Sequence, residues 1–172
     1  IPCPDGNQSP NCNRTQTLRE NVKKFGQAGA QLPQGLLAIC NKSLSEYQKP
    51  VGDASAVSTS CERRLRGGGT LYSVAGHMHL LGASIRLELN PGTRRGRILL
   101  DIPRWDFHWQ NAYTLERAVE AGPGDVVRVT CRHDVHKRMH GGHGVPKTPR
   151  YILWGEGTTD EMCLGILQVT RG

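Results

Sequence analysis

Gly76-His77-Met78-His79-Leu80-Leu81-Gly82 lies near the middle of the 172-residue chain, and its reading decides the fold. Read as extended chain, its side chains alternate faces, so His77 and His79 point one way and Met78 the other. Strand rise puts the two imidazoles roughly 6.5 Å apart at Cα, a spacing at which both can hold one metal ion. The strand carrying them is expected to run from Leu71 to Leu81. Downstream, Ile85-Arg86-Leu87-Glu88-Leu89 alternates apolar and polar residues, Asn90-Pro91-Gly92-Thr93 forms a turn, and Ile98 to Ile102 returns, which predicts a hairpin. Val126 to Cys131 alternates again. Tyr151 to Trp154 and Leu164 to Val169 read as the last strands. Many short strands separated by Gly/Pro turns predict an all-β chain, a β-sandwich or jelly roll.

A second stretch, Trp154-Gly155-Glu156-Gly157-Thr158-Thr159-Asp160-Glu161-Met162-Cys163, offers a thioether at Met162. Two imidazoles and a thioether suit copper, because soft sulfur favours Cu(I) and imidazole serves both oxidation states. The bland alternative is a β-domain with a chance histidine pair and a core methionine.

Taken together, His77-Met78-His79-Leu80-Leu81-Gly82 and Asp160-Glu161-Met162-Cys163 resemble the C-terminal domain of the copper type II, ascorbate-dependent monooxygenases, the family of the peptidylglycine- and dopamine-hydroxylating enzymes. The resemblance runs from about Thr70 to Leu167. It implies an antiparallel jelly roll in which His77, His79 and Met162 are the three ligands of an oxygen-activating copper, one per chain. It also implies molecular oxygen, a small organic or peptide substrate, and ascorbate or a similar reductant as electron donor. A Cys131–Cys163 bridge is implied too, clamping the segment that presents Met162. Two departures bear on function. Ala75, Leu164 and Ile166 stand where the peptide-hydroxylating members carry arginine, asparagine and tyrosine, so the pocket reads as more apolar and the peptide substrate is in doubt. No histidine lies between Ile1 and Gly76, so the family's three-histidine copper domain is expected on an upstream domain or a partner chain.

The remaining composition bounds the setting. Net charge is +7, read as Arg and Lys scattered over a solvated surface. No RNA-binding signature or zinc-finger spacing is present, and no apolar run spans a bilayer, which argues against nucleic-acid and membrane partners. Six cysteines without a Cys-x-x-Cys pair predict three disulfides and a secreted, extracellular protein. Nearness in sequence suggests Cys3–Cys12 and Cys40–Cys61. Thr15 to Gly26 reads as a helix capped by Thr15 or Thr17, Gln34 to Cys40 as a second short helix, and residues 41–60 as irregular. The expected organisation is an N-terminal arm over 1–66, short-helical and pinned by disulfides, followed by a copper-binding jelly-roll domain over 67–172.

His133, His136, His140 and His143 crowd a basic, Gly-rich segment with Lys137, Arg138, Lys147 and Arg150. Like charge opposes a cation there, and the reading is a solvent-facing loop with weak copper affinity. His108 reads as a packed or surface residue. Trp105, Phe107, Trp109 and Tyr113 read as core, and Glu156, Asp160 and Glu161 as turn-forming and hydrogen-bonding groups of the ligand loop. The chain is expected to be the copper-bearing half of a C–H hydroxylase. The alternative is an extracellular copper-binding or storage module without turnover.

Overall fold

Residues 1–3, 9–43, 56–137 and 148–170 are described by the computed structural model. Seven strands appear among them: β1 (Ala56–Arg64), β2 (Gly69–Met78), β3 (Gly82–Leu89), β4 (Arg97–Ile102), β5 (Ala112–Ala121), β6 (Val126–Asp134) and β7 (Cys163–Thr170). They form a four-stranded sheet, β1-β6-β3-β4, and a three-stranded sheet, β5-β2-β7. The expected all-β sandwich is borne out, and the N-terminal region carries two short α-helices.

The chain separates into two compact units. One spans Ser58–Met78, Gly82–Arg132 and Cys163–Gly172 and holds the sandwich. Its core draws on both sheets: Leu71, Val74 and Met78 of β2 meet Ile85, Leu87 and Leu89 of β3, with Leu99 and Leu100 of β4 and Cys131 of β6. Full burial of each large aliphatic side chain stabilises by about 1.5–3 kcal/mol. The β2–β7 ladder pairs Gly76 with Gly165. A Cβ on Gly76 would lie 3.0 Å from the Ile85 side chain, and one on Gly165 would lie 2.9 Å from Leu87. Two opposed glycines therefore let the sheets close together on the inner face, one residue from His77.

The other unit spans Ile1–Val57, His79–Leu81 and His133–Met162. It contains helices α1 (Arg14–Phe25) and α2 (Ala28–Ile39). The cap of α1 is Asn13, whose side chain accepts from Gln16 N at 3.1 Å. Neither threonine takes that role, and Thr17 instead is buried with its hydroxyl on Asn13 O at 3.1 Å. Helix α2 begins six residues before the expected Gln34. Gly29 and Pro33 disguise its first half as a break.

Several expectations are corrected. Residues 56–60, expected to be irregular, open β1, because Val57, Ser58 and Thr59 suit a half-buried edge. Strand β2 ends at Met78, three residues early. Residues 151–154 make only a single bridge, Trp154 to Glu161. Trp109 is 70 % exposed, while Trp105 is buried as expected.

Candidate metal centre

His77 projects from the outer face of β2, between buried Gly76 and buried Met78. Its Nδ1 lies 2.6 Å from Gln110 Oε1. The other end of that amide, Nε2, donates to Phe107 O at 2.8 Å, which settles the amide's orientation. An amide oxygen only accepts, so His77 Nδ1 carries the proton and the lone pair sits on Nε2.

His79 lies one residue beyond β2, not within it, and is 4 % exposed. Its Nδ1 stands 3.3 Å from the carbonyl of Asp160. The same logic applies: a carbonyl accepts, so the proton is on Nδ1 and the lone pair on Nε2. Both histidines thus carry the arrangement that fixes the tautomer of a metal-binding imidazole, with one nitrogen anchored to an oxygen acceptor and the other holding its lone pair. Among the described residues, no three His, Cys, Asp or Glu side chains gather around a metal position. A soft thioether in place of a third such group matches copper better than zinc.

Glu161 links the ligand candidates of the second unit. It is 4 % exposed, and its carboxylate accepts from His79 N at 3.1 Å and Leu81 N at 2.6 Å. One carboxylate therefore ties down two amides of the turn 79–81 that joins β2 to β3. Burial pushes the Glu161 carboxyl up to about 7, opposed by the Leu81 and His79 N–H groups. His133 Nε2 sits 3.5 Å from Glu161 Oε2. Burial holds that imidazole down to about 4, so the contact is not an ion pair near neutrality. Backbone groups of Met162 and Val57 oppose that lowering.

Met162 is 7 % exposed and follows Glu161 directly. Its other neighbour, Cys163, is bridged to Cys131 with Cα atoms 5.9 Å apart. Cys3–Cys12 forms as expected, Cys40 and Cys61 are also disulfide-bonded, and no cysteine is free. The loop before Met162 is shaped by Asp160, whose Oδ1 accepts from Arg150 Nη2 at 2.8 Å. A Cβ on Gly155 would lie 2.6 Å from Asp160 Oδ2, which is why the turn needs glycine there.

Sequence reasoning missed three parts of this arrangement. Gln110 carried no signal, since nothing in an irregular aromatic-rich loop marks it as a histidine partner. Glu161 reads as hydrogen-bonding in the sequence, but its two donors, the amides of His79 and Leu81, lie 80 residues or more away. His133 was assigned to a solvent-facing loop; it is 2 % exposed, because β6 runs on to Asp134. His136 is exposed, as expected of that loop, and His140 and His143 lie outside the described residues. His108 is exposed and stacks edge-on with Phe107.

A comparison with curated proteins returns no match. A comparison with known families matches residues 34–168 to the copper type II ascorbate-dependent monooxygenase, C-terminal domain. The match covers well over half of the chain and contains His77, His79 and Met162. The chain belongs to the copper type II, ascorbate-dependent monooxygenases, as their C-terminal domain.

Proposed function

We propose that this chain is the copper-bearing domain of a secreted monooxygenase that hydroxylates a C–H bond, with one copper held by His77, His79 and Met162. The observation that carries the reading is the end of the β2–β7 ladder. Its last rung pairs Met78 with Cys163, and the next residues along the two strands are His79 and Met162. His77, one residue earlier on β2, pairs with Leu164. The proposal keeps 1–66 as an arm and 67–172 as the copper-binding domain, with β1 of the arm adding a strand to the sheet.

Bound copper would supply one-electron redox chemistry toward oxygen. The protein's own contribution is positional. Gln110 and the Asp160 carbonyl hold the two imidazoles with Nε2 presented. The Cys131–Cys163 bridge steadies the residue beside the thioether. The outer face next to His77 carries Leu164, then the cross-strand tier Ala75, Ile166 and Ala112, none of them charged. That tier offers no partner for a substrate carboxylate and favours an uncharged substrate.

Hydroxylation needs two electrons beyond those of the C–H bond, since one oxygen atom leaves as water. One copper stores one, so coupled turnover calls for a second copper domain or an external donor. The test supplies ascorbate, oxygen and apolar and peptide substrates to the copper-loaded chain, and compares hydroxylated product with released hydrogen peroxide. Mostly peroxide from the chain alone, and product once a second copper domain is added, supports the reading. Neither oxygen consumption nor product under any condition favours the copper-binding module.

A further inference from the structure

Three loops of the sandwich unit converge on one buried carboxylate far in sequence from the copper ligands. Asp125, 5 % exposed, accepts from Gly122 N at 2.8 Å and from Asn90 Nδ2 at 2.9 Å. Its main-chain carbonyl accepts from Leu65 N at 2.8 Å, and Gly124 N returns a bond to Leu65 O at 2.9 Å. Asn90 completes the knot: its Oδ1 accepts from Val126 N at 2.9 Å. The loops 65–68, 90–96 and 122–125 are thereby locked to one another.

What these loops display is arginine. Arg66, Arg94 and Arg95 sit on them, and Arg64 and Arg97 flank them at the ends of β1 and β4, all five exposed. The only acidic residue within the three loops is Asp125, which is buried. Arg64 is held by the Gly124 carbonyl at 2.7 Å and Arg95 by Asp125 at 3.2 Å. Arg66, Arg94 and Arg97 make no hydrogen bond or ion pair among the described residues. Five of the 22 basic residues are therefore gathered at one edge of the unit. Unpaired like charges held together destabilise the fold unless an anion meets them.

We propose that this edge is a docking surface for a linear anionic polysaccharide bearing sulfate or carboxylate groups. Guanidinium forks recognise planar and tetrahedral oxyanions through paired N–H donors, and every cation of the cluster is arginine rather than lysine. The loops carry no aromatic side chain on which a base could stack, and no helix or strand pair that would enter a DNA groove. They carry no exposed aromatic or large aliphatic residue to insert into a bilayer. Disulfide usage fits an oxidising exterior, where polysaccharides are the abundant polyanions.

The test is calorimetry with a heparin octasaccharide in about 150 mM NaCl, where charges more than about 8 Å apart are screened. The triple variant Arg66→Glu, Arg94→Glu, Arg97→Glu removes only side chains without partners in the fold. Its control, Arg19→Glu, Lys23→Glu, Lys24→Glu on α1, changes net charge equally. The first variant should bind about tenfold or more weakly and the control within about twofold of the unaltered chain. Thermal melts should show both variants folded. Equal loss in the two variants, no binding by the unaltered chain, or tighter binding to duplex DNA or to phosphatidylserine vesicles than to the octasaccharide overturns the proposal.

Discussion

Met78 and Cys163 face each other on the final rung of the β2–β7 ladder, and Cys163 is in turn bridged to Cys131 of β6. One residue thus ends a strand pair, joins the two sheets and borders the thioether of Met162. Serine at Cys131 and Cys163 together should lower stability by about 3–4 kcal/mol, from the entropy of a loop spanning 32 residues. It should also weaken Cu(I) binding. Thermal melts and Cu(I) competition titrations read the two effects separately. Non-reduced peptide mapping that links Cys131 elsewhere would remove the basis for both.

Glu161 holds the amides of both His79 and Leu81. Glu161→Gln keeps one acceptor oxygen and turns the other position into a donor, so one of the two amides must lose its partner. The expected cost is about 1–3 kcal/mol. Hydrogen exchange of the metal-free protein should speed up at His79 or Leu81 while amides of the β3–β4 hairpin stay protected. Unchanged exchange at both positions would mean that the carboxylate does not hold this segment.

The two short motifs were legible in the sequence because each is local: alternate histidines before a turn, and a methionine framed by acids and a cysteine. The strand pattern was legible for the same reason, since Ile85, Leu87 and Leu89 recur at period two and line the core. The rest depends on long-range contacts. That the amides of His79 and Leu81 are held by Glu161 cannot be read from anything at His79 itself. The burial of His133 follows from the continuation of β6 as far as Asp134, into a stretch whose sequence looks basic and solvent-facing. The arginine edge was invisible because its members come from separate turns, and only the Asp125 and Asn90 hydrogen bonds bring them together.

Asp125 makes a pH dependence that is independent of the metal. The Gly122 N–H, the Asn90 amide and Arg95 hold its pKa below the ordinary carboxylate value, against the opposing effect of burial. A depressed folded-state pKa contributes stability that is fully present above the unfolded value, about 3.8, and is lost as pH falls through the folded one. Melting temperature should therefore drop more steeply below about pH 4 in the unaltered chain than in Asp125→Asn. Parallel curves for the two proteins between pH 6 and pH 2 would show that the three-loop knot does not depend on this charge.

The central claim is that His77, His79 and Met162 hold one copper, and metal analysis tests it most directly. Copper stoichiometry and Cu(I) affinity would be measured for the unaltered chain, His77→Ala, Met162→Ala and Met162→His. The account predicts one tightly bound copper per chain, Cu(I) affinity lowered by about tenfold or more in each alanine variant, and a shift of preference toward Cu(II) when nitrogen replaces sulfur at position 162. Full Cu(I) affinity in both His77→Ala and Met162→Ala would contradict it.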